Sequence, residues 1–188
     1  GQELGGPTAI DARADFMTGD VWTVHHTYHV EMHYAHGVQM VLDNKFETGI
    51  QFEGDAGWIF CTRDSVRVTG TDPNAPASER IKPALRASDP KLLLPLDGNA
   101  KARWPASRNH YLNWLEAIAE KREPVAPIDQ SVRSLEACAA AWISMKLGRR
   151  LTWDSKKEEF VGDKEANALL ERKPRKPEYD FRAVMKKV

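Results

Sequence analysis

The chain has 188 residues, 41% of them hydrophobic and 29% charged, and its 27 basic side chains are matched by 27 acidic ones for a formal net charge of zero. That length suits one domain able to bury on the order of 70% of its unfolded surface, with no need of a disulfide or metal staple. The balanced charge argues against a nucleic-acid binder, whose phosphate contacts need a basic excess, and no run approaches the ~20 apolar residues of a membrane span.

Residues 8–16 alternate loosely between polar and apolar. Residues 27–34 alternate strictly, with Tyr28, Val30, Met32 and Tyr34 on one face and His29, Glu31 and His33 on the other, the pattern of a half-buried strand. Ala35-His36-Gly37 supplies a tight turn and residues 38–42 return as the partner strand of a hairpin. A second hairpin runs from Ile50-Gln51-Phe52-Glu53 through Gly54-Asp55-Ala56-Gly57 into Trp58-Ile59-Phe60-Cys61, and residues 66–69 add a further short strand. Residues 71–105 read as a loop-rich crossover interrupted by Pro73, Pro76, Pro83, Pro90 and Pro95, with one helical turn from Ser88-Asp89-Pro90 to Leu93.

The second half reads as helical. Ser107 is the expected N-cap of a helix to about Lys121, its apolar face carrying Tyr111, Leu112, Leu115, Ile118 and Ala119. Asp129 is the expected cap of a second helix with Val132, Leu135, Ala139, Trp142, Ile143 and Leu147 on its apolar side and Gly148 as its stop. Its small residues at 137–141 suit close packing on a sheet or on another helix. Leu151-Thr152-Trp153 reads as a strand with Phe160-Val161 pairing back, Gly162-Asp163 opens a last helix to about Arg172, and residues 174–188 read as an extended basic tail. The class is α+β, a mostly antiparallel open sheet with helices packed on one face.

The order of motifs in the second half resembles the C-terminal domain of the Gfo/Idh/MocA oxidoreductases, the glucose-fructose oxidoreductase and inositol dehydrogenase relatives. It rests on Asn109-His110-Tyr111-Leu112-Asn113-Trp114-Leu115-Glu116-Ala117-Ile118, on Glu123-Pro124-Val125-Ala126-Pro127-Ile128, on Arg133-Ser134, on Lys146-Leu147-Gly148-Arg149-Arg150-Leu151-Thr152-Trp153-Asp154, and on Glu159-Phe160-Val161-Gly162-Asp163 with Glu165-Ala166-Asn167. Upstream, Tyr34-Ala35-His36-Gly37-Val38 and the glycine-flanked hairpin 52–60 are similar to the family's strands. The resemblance implies the substrate and oligomerisation domain of an NAD(P)-dependent oxidoreductase acting on a sugar or polyol, with a homo-oligomer as its assembled form. The family's dinucleotide-binding domain and its Glu-Lys-Pro lysine are expected outside these residues, since the sequence holds no G-x-G-x-x-G and Glu120-Lys121-Arg122 is only superficially similar. Where subgroup relatives carry Gly-His-Arg-Ser, this chain has Ser131-Val132-Arg133-Ser134, so no role of that histidine transfers.

Gly rather than Met stands at position 1 and no leader pattern follows it, which suggests an excised fragment and leaves the compartment, cytoplasmic or exported, open. A free-standing, non-enzymatic sugar-binding or assembly module of the same fold is the alternative reading. Trp22, Trp104, Arg108, Asn109 and His110 are the candidate substrate-binding residues, by aromatic stacking on sugar faces and by polar groups at a helix start. His29, Glu31 and His33 are the candidate oligomer-interface residues. They are not expected to hold a metal, because side chains at i and i+4 of a strand are ~13 Å apart. No catalytic residue is expected in the chain. Cys61 and Cys138 lie in apolar runs and read as buried thiols.

Overall fold

The computed structural model describes residues 5–19, 21–22, 24–62, 84–94, 107, 109–172 and 174–185. The chain divides into two compact units, residues 1–45 with 107–188 and residues 46–106.

In the first unit five antiparallel strands lie in the order β3-β2-β1-β7-β8. They are β1 (Ala9–Phe16), β2 (His25–His33), β3 (Gln39–Asp43), β7 (Leu151–Asp154) and β8 (Glu159–Phe160). The alternation in β2 does what its period requires: Val30 and Met32 are buried, whereas His29 is exposed. The β2–β3 turn closes with Tyr34 N–H donating to the Val38 carbonyl at 2.8 Å. Both His36 (φ 64°) and Gly37 (φ 78°) take left-handed backbone there, so the turn asks this of a histidine as well as of the glycine.

Helix α2 (Ile128–Leu147) packs on β1 and β2 from one side. The contact is made by Ala140, Ala141, Ile143, Ser144 and Met145, all buried, and joins Ile10, Ala12, Val30, Met32, Leu151, Trp153 and Phe160 in the core. Small residues let the helix axis come close to the strands, as its run of alanines suggests. The larger side chains turn away: Leu135 is 67% exposed and Trp142 and Val132 are also exposed, so the expected apolar face is rotated toward the small residues. Cys138 lies with the outward set and is exposed, and Cys61 is partly exposed, so neither is the buried thiol that its apolar run suggests. Gly148 ends α2 as expected, in left-handed conformation, with its N–H on the Ser144 carbonyl at 2.8 Å.

Several boundaries differ from the sequence reading. Asn109, not Ser107, caps α1 (His110–Glu120), its Oδ1 accepting from Leu112 N–H at 3.0 Å, while Ser107 Oγ donates to the Asn109 carbonyl at 2.9 Å and braces the cap from outside. Asp129 lies inside the first turn of α2, because Pro127, with no N–H to satisfy, takes the cap position. Helix α3 is short (Lys164–Ala168), since Asn167 turns its side chain back to clamp Phe160. The expected extended tail instead forms a 3-10 turn at Pro177–Tyr179 and a short helix, α4 (Phe181–Met185), started by Pro177 and by Asp180 Oδ1 accepting from Arg182 N–H.

The apolar face expected of α1 does not pack inward. Its buried residues are Asn113 and Ala117, with Asn113 Oδ1 accepting from Val125 N–H at 2.9 Å, whereas Tyr111, Leu112, Leu115 and Ile118 are exposed.

The second unit holds β4 (Ile50–Gly54), β5 (Gly57–Cys61) and β6 (Leu85–Ala87), antiparallel in that order. The hairpin is as expected, whereas β6 is a strand within the stretch whose prolines suggest only a crossover loop. Gly57 is required there by space: a Cβ would come within 2.2 Å of Ser88 Oγ, which accepts from Trp58 N–H at 2.9 Å. Asp89 caps the Pro90–Leu93 turn through Lys91 N–H. The strand expected at 66–69 lies outside the described residues.

Candidate functional site

Because α2 covers only one face of the five-stranded sheet, the other face carries odd-numbered residues: Ala9, Asp11, Arg13 and Asp15 of β1, then Thr27, His29, Glu31 and His33 of β2, then Gln39, Val41 and Asp43 of β3. The register places His29 opposite Asp43 and His33 opposite Gln39. His29 lies between two carboxylates, with Nδ1 2.9 Å from Asp43 Oδ2 and Nε2 3.3 Å from Glu31 Oε1. Gln39 Nε2 donates to the other oxygen of Glu31 at 3.4 Å. On β1, Arg13 pairs with Asp11, and Thr27 Oγ1 donates to Asp15 across the β1–β2 ladder.

These contacts tune the charges. The Asp43 hydrogen bond, helped by Glu31, raises the His29 pKa above 6.5. Asp43 is lowered in turn, first by the Lys45 backbone N–H and then by His29. The face is therefore a hydrogen-bonded network whose histidine holds its proton more tightly than a free imidazole does. At the far end of the unit, Arg149 binds Asp163 through both guanidinium nitrogens and reaches Glu165 at 3.0 Å; with the Ala166 N–H it draws Asp163 down to about 2.

The other candidates are dispersed. Trp22 stands 65% exposed on the β1–β2 connection. Asn109 spends its side-chain oxygen on the α1 cap, and His110 is the exposed first residue of that helix. Trp104 and Arg108 lie outside the described residues. Asp43 and Gln39 were missed in the sequence, although counting outward from a turn centred on His36 sets both opposite the β2 histidines.

The family model described as "Oxidoreductase family, C-terminal alpha/beta domain", of the GFO/IDH/MocA group, matches residues 89–180, from the Asp89-capped turn through α1, α2, β7, β8 and α3. This segment belongs to the Gfo/Idh/MocA oxidoreductase C-terminal domains. No curated protein matches the chain. Among solved structures, it is similar to the aldose-aldose oxidoreductase from Caulobacter crescentus complexed with glycerol, at 18% identity and TM-score 0.48 over 79% of this chain and 42% of that one. It is also similar to an NAD-binding protein from Listeria innocua, at 15% identity and TM-score 0.42 over 79% of this chain and 46% of that one. The chain thus spans less than half the length of either.

A nicotinamide dinucleotide is the cofactor that the Gfo/Idh/MocA family implies. The described residues do not fit it. Their strand pairings are antiparallel, and no strand among them runs through a glycine turn into a helix N-terminus that could hold a pyrophosphate. Among the described residues, no group of three or more His, Cys, Asp or Glu is arranged to hold a metal ion, and no helix is long and apolar enough to cross a membrane.

Proposed function

We propose that this chain is the substrate-shaping and oligomerisation domain of an NAD(P)-dependent oxidoreductase acting on a sugar or polyol, with the nicotinamide held by other parts of the protein. The observation that carries the reading is the family match over 89–180, which covers the helix that backs the sheet. In this reading His29, Glu31 and His33 meet a second subunit across the open face, where a polar, hydrogen-bonded surface favours specificity over bulk apolar burial. Trp22 and His110 offer side-chain surface to a sugar, one as a stacking platform and the other as a hydroxyl partner. Asn109 acts by holding the α1 start in place.

The test is nicotinamide reduction by the natural protein that carries this domain, measured with a panel of aldoses and polyols. One or more should be oxidised, and Trp22→Ala should raise KM for it several-fold with kcat less affected. Turnover with none of them, or a Trp22→Ala enzyme indistinguishable from the parent, sinks the substrate assignment.

A further inference from the structure

Helix α1 is amphipathic in the reverse sense for a helix on the outside of a folded unit. Asn113 and Ala117 face inward, while Tyr111 (83% exposed), Trp114 (57%), Leu115 (56%) and Ile118 (59%) form an i, i+3, i+4, i+7 stripe on the outer side. Leu112 flanks the stripe, and no charged residue interrupts it. Isolated exposed leucines are ordinary, but five large apolar side chains on one 11-residue helix are a patch. Tyr111 and Trp114 alone expose on the order of 300 Å², given the ~150–250 Å² that an aromatic residue can bury, and the whole stripe is on the order of 500 Å².

We infer that this stripe is a self-association surface, α1 packing antiparallel on α1 of a second copy of this chain, separately from the open sheet face. The spacing argues for a second copy because it reads the same in both directions. A two-fold axis passing between positions 114 and 115 sets Tyr111 against Ile118 of the second copy and Trp114 against its Leu115, so each large residue meets a large residue without a register shift. An isologous contact requires such self-complementarity. The area fits too. Two stripes bury about 1,000 Å² together, the lower bound of a specific interface, so the association is weak and concentration-dependent rather than permanent.

Sedimentation velocity of the chain across a micromolar to submillimolar series tests this. The mass should fall on dilution, and Leu115→Glu and Ile118→Gln should each weaken the α1-dependent step by about tenfold or more. Circular dichroism should stay unchanged, since neither side chain is in the core. In a Cys61→Ser, Cys138→Ser background, the Tyr111→Cys, Ile118→Cys double variant should cross-link between copies on oxidation. The inference is overturned if Leu115→Glu leaves the mass series unaltered while His33→Glu lowers it, which would leave assembly to the sheet face alone. It is equally overturned if the parent is monomeric throughout; a melting temperature lowered by Leu115→Glu would then show the stripe covered by the chain's own residues. The converse, loss of association with Leu115→Glu and none with His33→Glu, upholds α1 pairing and refutes the sheet-face assembly proposed above.

Discussion

Ser144 is the most informative single residue of the sheet unit. β7 pairs with β1 only at Ala9 and Ile10, so beyond that point the Ala12 N–H points away from β2 with no strand to receive it. Ser144 Oγ, fully buried on the sheet-facing side of α2, accepts that N–H at 3.0 Å and donates to the Arg149 carbonyl at 2.8 Å. Replacing it with alanine removes one oxygen and creates almost no cavity, so the cost is set by the hydrogen bonds. A lost intramolecular bond costs ~0.5–1.5 kcal/mol and a buried orphan donor ~1–3 kcal/mol, so Ser144→Ala should destabilise the protein by about 2 kcal/mol. At ~2–4 °C per kcal/mol for a chain of this size, the melting temperature should fall by roughly 4–8 °C. Urea unfolding read by fluorescence and circular dichroism measures this, with Ser134→Ala as control. Ser134 Oγ also donates to a helix carbonyl, that of Gln130 at 2.9 Å, but it is exposed and should cost less than about 0.5 kcal/mol. If the two variants match, the sheet edge is satisfied some other way and the reasoning fails.

Asn167 joins α3 to β8 with both ends of its carboxamide, Oδ1 accepting from Phe160 N–H at 2.7 Å and Nδ2 donating to the Phe160 carbonyl at 2.8 Å. Asn167→Ala should cost about 2 kcal/mol in the same unfolding assay, and Asn167→Asp, which keeps the acceptor and loses the donor, should cost less. For His29, an NMR titration should give a pKa above 6.5 that falls in Asp43→Asn. Since the folded pKa is the higher, the stabilisation it brings is present below pH 6.5 and is lost as pH rises through the folded value; in His29→Gln that pH dependence should vanish.

The sheet was legible because period-2 alternation directly reports a face: Tyr28, Val30 and Met32 against His29, Glu31 and His33 needed no tertiary information. The glycine stop of α2 and the turn at 35–37 were legible for a similar local reason. What was hidden depended on partners far along the chain. Ser144 looks unremarkable until Ala12 is beside it, and the packing face of α2 falls on its alanines because the strands approach closely there, displacing Leu135 and Trp142 outward. In α1 the apolar stripe was visible, but periodicity reports only that a face is apolar and says nothing of whether the chain itself covers it. The candidate site was less legible still. His29 was found, yet its two carboxylate partners emerge only from register, and Trp22 and His110 carry no local signal of a ligand.

The central claim is that these residues form the substrate and assembly portion of an oxidoreductase whose nicotinamide is held elsewhere. Isothermal titration of NAD(H) and NADP(H) into this chain, side by side with the natural protein that carries it, tests that division most directly. Saturable binding is expected of the natural protein and none of this chain. Saturable binding of either dinucleotide by the chain would contradict it.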